Sequence, residues 1–314
     1  MPEHFKTFCV VNPSSAAGAT GRAWPKIRQR IGAAIGDFDW AMTEQAGHAT
    51  LLTQEALQRG FEQVVSVGGD GTNNEVISGF FDEAGAPIRQ DAVFAQIACG
   101  TGSDLRRTFG FDRRAETYIE KLVGRQTWPV DVGRMTFRDH GGNSAVRHFI
   151  NIVSFGIGGL VCQTVNRSSK KLGGRLSFMF ATFTALRKYR NQTVRLTVDD
   201  GETRTLRVNN IAISNGQFHG GGMRVAPDAR IDDGLFDIVI FGDLTLWDVI
   251  KGNRRIYHGT HIGMPKVEHL RGRKIVAESD ETMLLEVEGE QPGALDATFE
   301  CLPGAVRMKV RQPS

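Results

Sequence analysis

The first part of the chain alternates short apolar runs with longer stretches whose apolar residues recur at helical spacing. The apolar runs cover residues 5–12, 38–42, 63–67 and 92–98, and the helical stretches cover 24–35, 48–59, 74–81 and 115–123. Strands that alternate with helices predict a parallel or mostly parallel sheet covered by helices. Each apolar run ends in a turn rich in Gly, Ser, Thr or Asn. Because ligands of such sheets bind at the carboxyl ends of the strands, these turns are where we expect one.

Strands of alternating polarity dominate the second half of the chain. Residues 193–199 place Val194, Leu196 and Val198 on one face. Further runs predict a sandwich of antiparallel sheets interrupted by two helices, the strands at 147–153, 206–214, 235–241, 274–277 and 283–287 and the helices at 176–190 and 244–258. The fold class is therefore α/β, with an N-terminal open α/β domain over 1–127 and a C-terminal β-sandwich-rich domain over 128–303. The last run, 305–310, fits either domain, so segment 304–314 is a candidate to join the N-terminal one.

Composition excludes several function classes. The 38 basic and 35 acidic residues leave a formal charge of +3, so no chain-wide feature indicates nucleic-acid binding. The four cysteines lack the paired spacing of zinc or redox motifs, and only a short apolar run opens the chain, so we expect reduced cysteines in a cytoplasmic protein. The longest apolar tract, 149–162, contains Asn151 and Ser154 and falls short of the roughly 20 residues that span a bilayer. The protein should touch a membrane without crossing it.

A glycine-rich turn follows the third apolar run and precedes a predicted helix. Gly68, Gly69 and Gly71 lack Cβ atoms, so the backbone can take positive φ and bring its N–H groups close to phosphate oxygens. A helix starting near Thr72 would add the positive end of its dipole. Phosphates would repel Asp70 unless a cation or a transferable proton accompanies it, so we expect this residue to serve a metal or acid/base chemistry. The alternative is a plain turn that joins a strand to a helix, since the sequence is neither a Walker A loop nor a dinucleotide motif.

The turn and five further blocks carry a resemblance to a known family. The turn reads GGDGTNNEVISG, and the other blocks are VVNPSS, TEQAGHA, ACGTGSDLRRTFG, NGQFHGGGMRVAPDARIDDGLFD and EGE. In this order they resemble the diacylglycerol kinase catalytic-domain family, which also includes bacterial lipid kinases and sphingosine and ceramide kinases. NAD kinases and phosphofructokinases share the GGDGT feature, but the block around 220–234 is similar only to the lipid kinases. The resemblance implies a nucleotide-binding domain like that of NAD kinases, followed by a lipid-substrate domain.

The resemblance also implies an activity and its residues. The implied reaction is transfer of the γ-phosphate of ATP to a hydroxyl of a diacylglycerol-like lipid, with Glu290 as general base and Asp70 as a second catalytic residue. The residues implied around ATP are Asn12, Thr43, Gly68, Gly69, Asp70, Gly71, Thr72, Asn73 and Thr101. A structural Mg²⁺ site is implied at the carboxylate of Asp233 and the carbonyls of Arg230 and Leu235, although an Asp-Gly hairpin turn would explain the same residues.

Three departures from the family pattern leave alternatives open. The usual D-G-E is Glu288-Gly289-Glu290 here, Ser103 replaces an amide in the 98–104 block, and Ser14 stands where a lysine is common. One alternative is a soluble kinase of the NAD kinase type. The other is a catalytically weak nucleotide- or lipid-binding regulatory protein.

The approach to a lipid substrate predicts a basic surface. Residues 167–190 contain seven Lys and Arg, no acidic residue and an apolar centre, which suits peripheral contact with anionic headgroups. A helix packed on the second domain with a solvated basic end is the alternative. A second basic cluster is open to the same two interpretations: Lys251, Arg254, Arg255, Arg271, Arg273 and Lys274. The resemblance further favours a homodimer.

Overall fold

The computed structural model describes residues 4–100, 102–167 and 189–310. The chain divides into two compact units. The first contains Met1–Val132, Ile231–Asp233 and Leu302–Ser314, and the second contains Gly133–Arg230 and Gly234–Cys301. The predicted helix at 176–190 and most of the basic stretch at 167–190 lie outside the described residues.

A parallel sheet forms the centre of the first unit. Its strands run in the order β2-β1-β3-β4, and the end of β15 lies parallel to β4 at Arg307 and Met308. The strands are β1 (Thr7–Val11), β2 (Asp39–Met42), β3 (Gln63–Gly68), β4 (Val93–Ala98) and β15 (Gly293–Met308). The helices are α1 (Ala19–Ile35), α2 (His48–Gln58), α3 (Asp70–Ser78), α4 (Leu105–Thr108) and α5 (Ala115–Leu122). This arrangement confirms the predicted α/β fold class.

The helices pack on this sheet through one face each. Along α1, Trp24, Ile27, Ile31 and Ile35 are buried at spacings of three and four residues, which places them on one side of the helix. They pack against β-strand residues such as Val65 in one core. Since β1, β3 and β4 are covered on both faces, their sequences are nearly continuous apolar runs rather than alternating ones.

Two antiparallel sheets form the second unit. In the first sheet β15 pairs with β13, β13 with β8 and β8 with β9, and a β5–β6 pair joins it through β15. The second sheet has the order β12-β11-β10-β7-β14. The strands are β5 (Trp128–Asp139), β6 (Ser144–Phe149), β7 (Ile152–Gly156), β8 (Gln192–Val198), β9 (Arg204–Val208), β10 (Asn210–Ser214), β11 (Phe236–Phe241), β12 (Val267–Gly272), β13 (Lys274–Glu278) and β14 (Leu285–Val287).

A continuous aromatic and aliphatic core lies between these sheets. Phe155 of β7 stacks on Phe299 of β15 with ring centroids 5.9 Å apart, and Phe149 stacks on Phe236 at 5.5 Å. All four side chains are fully buried. The predicted sandwich is therefore confirmed, because the inward-facing residues of both sheets meet in one apolar layer.

Two predicted strands are each two strands in the structure. The run 147–153 breaks between β6 and β7, where the N–H groups of Ile150 and Asn151 donate to the Glu288 carboxylate instead of to a neighbouring strand. The run 206–214 breaks at Asn209, whose N–H donates to Phe241 and Gly242. In both places a polar group captures backbone donors inside an apolar sequence, so hydrophobicity alone did not predict the break.

A helix that we did not predict follows β7. It is α6 (Ile157–Arg167), and its first turn contains Gly158 and Gly159. A Cβ on Gly158 would lie 2.6 Å from Ser154 Oγ, and a Cβ on Gly159 would overlap the Leu284 carbonyl. These glycines therefore allow α6 to approach its own sheet closely.

Two expectations from composition concern the cysteines and the membrane. The four cysteines are free, and burial raises the pKa of the Cys9 thiol, which makes this thiol unreactive. Within the described residues, no helix is both long enough and apolar enough to cross a bilayer.

His148 makes the stability of the second unit depend on pH. It lies opposite Arg134 in the β5–β6 pair and is 4% exposed. Burial, with a smaller contribution from Arg134, lowers its pKa from 6.5 to about 4. Between these two values the unfolded chain binds a proton that the folded chain does not, so stability falls as pH drops through this window.

We expect His148→Gln, whose amide cannot take up this proton, to remove about 2–3 kcal/mol of that fall. Urea unfolding of both proteins at neutral pH and at the lower end of the window measures the difference. An unchanged dependence of stability on pH in the variant would contradict the assignment.

Candidate functional site

Four loops of the first unit meet at one edge of its sheet. They follow β1, β2, β3 and β4, which are parallel, so their carboxyl ends lie on the same side. The loops begin at Asn12, Thr43, Gly69 and Cys99. Of the predicted nucleotide residues that the structure describes, Gly68 ends β3 and the others fall in these loops or in the first turn of α3. The fold therefore gathers, at one sheet edge, those of them that the structure describes.

The glycines of the turn permit close approach rather than positive φ. Gly68 is the last residue of β3, Gly69 has φ −104°, and Gly71 lies inside α3, which corrects the expected left-handed backbone. A Cβ on Gly68 would overlap the Thr72 side chain. A Cβ on Gly100 would lie 2.5 Å from Gly69 Cα, so two loop backbones touch here. The helix starts at Asp70, earlier than predicted, because Gly69 provides its N-cap.

Asn12 connects the first loop to the start of α3. Its Nδ2 donates to Thr72 Oγ1 at 3.0 Å, and its Oδ1 accepts the Ser14 N–H at 3.0 Å. Thr72 is 4% exposed. Both polar ends of the Asn12 side chain therefore hold backbone or hydroxyl groups of this edge in place.

Asp70 connects the glycine-rich turn to the β4–α4 loop. Its carboxylate accepts the Asp104 N–H at 3.1 Å and lies 3.5 Å from the Leu105 nitrogen. These donors belong to the start of α4, so Asp70 stabilises that turn in the way a capping carboxylate does. The side chain is half-buried. It has a structural contact in addition to the chemical role that the sequence predicts.

Backbone strain is concentrated at this edge. Ala16 and Ala17, in the loop before α1, have φ of 50° and 54°, and Ser103 has φ of 49°. Left-handed φ at a non-glycine residue costs about 1 kcal/mol or more and persists where the surrounding structure requires it. Ser103 Oγ donates to the Gly100 carbonyl at 2.9 Å, which fixes the second loop. Such strain is typical of ligand-binding loops, where successive N–H groups form a concave anion site.

The remaining predicted nucleotide residues differ in placement. Thr43 is half-buried, and its N–H donates to the Val11 carbonyl at 2.8 Å. Asn73 is 2% exposed, its Nδ2 donates to Gln96 at 3.1 Å and its N–H donates to the Gly69 carbonyl at 3.0 Å, so the fold itself uses both of these donors. Thr101 lies outside the described residues.

Glu290 lies in the second unit, after a tight turn. The N–H and carbonyl of Val287 and Glu290 bond to each other at 2.8 and 2.9 Å, and the two residues between them have positive φ, as in a type I′ hairpin turn. The Glu290 carboxylate forms an ion pair with Arg147 at 2.9 Å, and about a third of its side chain is exposed. The turn and the guanidinium therefore hold this carboxylate in one orientation while leaving it accessible.

The other acidic residue of the EGE block has a structural role. Glu288 is 6% exposed, and its Oε1 accepts the N–H groups of Ile150 and Asn151, both at 2.8 Å. The lengthened side chain thus reaches the break between β6 and β7. Its two hydrogen bonds fix the position of the turn that leads to Glu290.

A buried carboxylate that the sequence analysis missed also supports this turn. Glu286 is 2% exposed, and it accepts the Gly289 N–H at 2.6 Å and the Ser154 hydroxyl at 3.0 Å. His219 Nε2 lies 3.2 Å from the same carboxylate. An acidic residue between Leu285 and Val287 in a buried strand could have revealed it, because such a charge needs partners.

The residues of the predicted Mg²⁺ site lie in a well-held segment. The Ile231 carbonyl accepts the Asp131 N–H at 2.7 Å, and Asp232 accepts from Trp128 Nε1 at 3.0 Å. Asp233 is half-buried and Gly234 has φ of 74°. In the described ranges no three His, Cys, Asp or Glu side chains form a metal cluster, but the predicted site uses one carboxylate and two carbonyls. It therefore stays a prediction.

The Gly69–Gly100 contact gives a direct test of the loop packing. Gly100→Ala would place a methyl group 2.5 Å from the Gly69 backbone, which has no flexible side chain to move away. We expect a loss of about 1–3 kcal/mol in the free energy of unfolding. Gly32→Ala is the matched control, because a Cβ there would be 3.9 Å from Phe38, within an ordinary contact on α1. Urea unfolding compares them, and equal stabilities would show that the two loops do not pack as described.

Family models match both halves of the chain. The diacylglycerol kinase catalytic domain matches residues 6–135. The YegS C-terminal NAD kinase beta sandwich-like domain matches residues 151–310. The second match alone covers more than half of the 314 residues.

Two curated relatives are similar in sequence to this chain over almost its whole length. A diacylglycerol kinase of Staphylococcus carnosus is 27% identical over 293 residues, covering 92% of this chain and 90% of its own. A diacylglycerol kinase of Bacillus subtilis is 25% identical over 295 residues, covering 92% and 91%.

Solved structures share the fold. A crystal structure of a diacylglycerol kinase from Bacillus anthracis has a TM-score of 0.75 at 23% identity, covering 99% of both chains. Yeast NADH kinase complexed with NADH has a TM-score of 0.53 at 11% identity, covering 97% of this chain and 82% of its own. With the family models matching in sequence order, the chain belongs to the diacylglycerol kinase catalytic-domain family.

Proposed function

We propose that this chain is an ATP-dependent lipid kinase that transfers the γ-phosphate of ATP to a hydroxyl of a diacylglycerol-like lipid. The observation that carries the proposal is the meeting of four strand-end loops at one sheet edge, with two loop backbones in contact at Gly69 and Gly100. Family membership and relatives named diacylglycerol kinases support the same activity.

The residues at this edge fit a nucleoside triphosphate. Gly69 and Gly100 let the two loop backbones touch, because a Cβ on either residue would meet the facing loop. The start of α3 presents the positive end of its helix dipole at the same edge, which favours an anion. The strained loop before α1 adds further N–H groups. The proposed binding set is completed by Asn12, Thr43 and Thr72, with Asn73 and Thr101 added by resemblance.

Asp70 fits a nucleotide-bound magnesium ion. Mg²⁺ keeps several waters and binds through one or two carboxylates together with substrate phosphates, so one half-buried carboxylate suffices. When bound, Mg²⁺ would neutralise charge on the triphosphate. Asp70 would then keep the 3.1 Å bond from the Asp104 N–H and exchange its longer, 3.5 Å contact with the Leu105 N–H for the ion. The Asp233 site with the carbonyls of Arg230 and Leu235 is proposed as a separate, structural Mg²⁺ site.

Glu290 is proposed to accept the proton of the attacking hydroxyl. The acceptor oxygen forms a bond to the γ-phosphorus, the bond from that phosphorus to the ADP oxygen breaks, and the hydroxyl proton goes to Glu290. Arg147 orients the carboxylate, and the hairpin turn keeps it at the surface of the second unit. The proposal also includes peripheral contact with an anionic membrane and, from the resemblance, a homodimer.

Product analysis tests the proposed function. The purified protein is incubated with ATP and Mg²⁺ and with detergent-dispersed diacylglycerol, monoacylglycerol, phosphatidylglycerol or sphingosine, or with NAD. We expect mass spectrometry to find a phosphorylated lipid and ADP in equal amounts. Phosphorylated NAD without any lipid product would favour the NAD kinase alternative, and ATP binding without any product would favour the regulatory one.

A further inference from the structure

The helix that follows β11 exposes an apolar face. It is α7 (Leu246–His258), and none of its residues is buried. Leu246, Trp247, Ile250 and Tyr257 are 42%, 69%, 52% and 47% exposed. Spacings of one, four and seven residues bring them to one side of the helix. Among the described residues, this is the main concentration of exposed large apolar side chains.

Basic residues border this face. Lys251, Arg254 and Arg255 are exposed, and within the part of the chain that the structure describes none of them has a carboxylate partner. The one acidic residue of α7, Asp248, caps the helix at Thr245 and pairs with Lys266 at 3.2 Å. The exposed side of α7 therefore combines apolar side chains with uncompensated positive charge.

The opposite face holds α7 firmly to its unit. Val249, Gly252 and Ile256 are partly buried on this face, and a Cβ on Gly252 would lie 3.1 Å from Met264. The Ile256 carbonyl accepts the Arg224 N–H at 2.9 Å, and Gly259 ends the helix in the left-handed conformation. The exposed face is thus presented on a capped, anchored element rather than on a loop.

We propose that the exposed face of α7 is a docking surface for an anionic lipid bilayer. The proposal rests on the proposed function, because a lipid acceptor resides in a bilayer. A helix lies in the interface when apolar side chains enter the acyl boundary and Lys and Arg contact anionic headgroups. Trp and Tyr are suited to this depth, since each has an apolar ring and a polar atom.

The charge on α7 disfavours a second copy of the chain as the occupant. Two-fold pairing would bring the same patch from both copies together and place Lys251, Arg254 and Arg255 opposite like charges. An anionic surface compensates these charges instead. The face therefore fits a lipid surface better than a copy of itself.

Vesicle binding without nucleotide tests the proposal. The full chain is mixed with sucrose-loaded vesicles of phosphatidylcholine alone or with phosphatidylglycerol, and the pelleted fraction is measured. We expect binding to the anionic vesicles, and about a tenfold lower partition coefficient for Trp247→Ala with Ile250→Ala and for Lys251→Gln with Arg254→Gln and Arg255→Gln. Trp247 fluorescence should shift to shorter wavelength on anionic vesicles in the wild type.

Matched controls separate this surface from general effects and from the kinase itself. Leu51→Ala removes an apolar side chain that is 60% exposed on α2, and Lys26→Gln with Arg28→Gln removes charge from α1; both should leave binding unchanged. Turnover of a short-chain, detergent-dispersed diacylglycerol should be the same in all variants. If both α7 variants bound anionic vesicles as well as the wild type does, the docking proposal would be wrong. It would also be wrong if the wild type formed a dimer that Trp247→Ala dissociates, because the face would then bind a second copy of the chain. If the wild type bound anionic vesicles but phosphorylated no lipid, the result would instead count against the proposed function.

Discussion

Asp70→Asn is expected to lower phosphate transfer to lipid by about 10²-fold or more, because it removes the charge proposed to bind magnesium beside the triphosphate. The asparagine oxygen can still accept the Asp104 N–H, which Asp70 accepts at 3.1 Å, so the start of α4 should keep its structure. Steady-state turnover with detergent-dispersed lipid measures the effect, and circular dichroism checks the fold.

Asp82→Asn is the matched control for this change. Asp82 lies in the same unit, and its carboxylate also accepts a backbone N–H, that of Ala86 at 2.8 Å. It should retain wild-type turnover. If Asp70→Asn were equally active, Asp70 would be only a capping residue, and the proposed role in catalysis would be wrong.

Glu290→Gln is the second substitution with a large expected effect. The amide cannot accept the hydroxyl proton, so we expect kcat to fall by about 10²-fold while KM for ATP changes little. The hairpin turn should persist, because its two bonds between Val287 and Glu290 join backbone atoms. Single-turnover measurements with saturating ATP separate the chemical step from product release.

Glu268→Gln provides the comparison in the same unit. Glu268 pairs with Arg204 at 2.9 Å on the surface, much as Glu290 pairs with Arg147, but it lies on β12 and not in the turn that holds Glu290. Loss of this ion pair alone should cost little. Equal activity of the two variants at the wild-type level would remove Glu290 from the mechanism.

The parallel half of the fold was predictable because its central strands, β1, β3 and β4, are buried on both faces. Residues 63–67 and 92–98 are mostly apolar runs, and β3 and β4 coincide with them to within one residue at each end. The glycine-rich turn was equally visible, since few residues allow two backbones to touch. The backbone conformation of the turn could not be predicted, because glycine is favoured both where two backbones approach closely and where φ is positive.

Features that depend on distant partners could not be predicted from local sequence. The breaks at Asn151 and Asn209 exist because a carboxylate and two carbonyls far along the chain take their N–H groups. Segment Ile231–Asp233 belongs to the first unit through bonds to β5, more than 90 residues earlier. The support of the Glu290 turn by Glu286 likewise appears only once the strands are paired.

The central claim is that the loop edge of the first unit binds the triphosphate of ATP. A crystal structure of the protein with a non-hydrolysable ATP analogue and Mg²⁺ tests this most directly. We predict the phosphates against the backbone N–H groups between Gly69 and Thr72, with the metal beside Asp70. A nucleotide bound elsewhere, with this turn empty, would contradict the account.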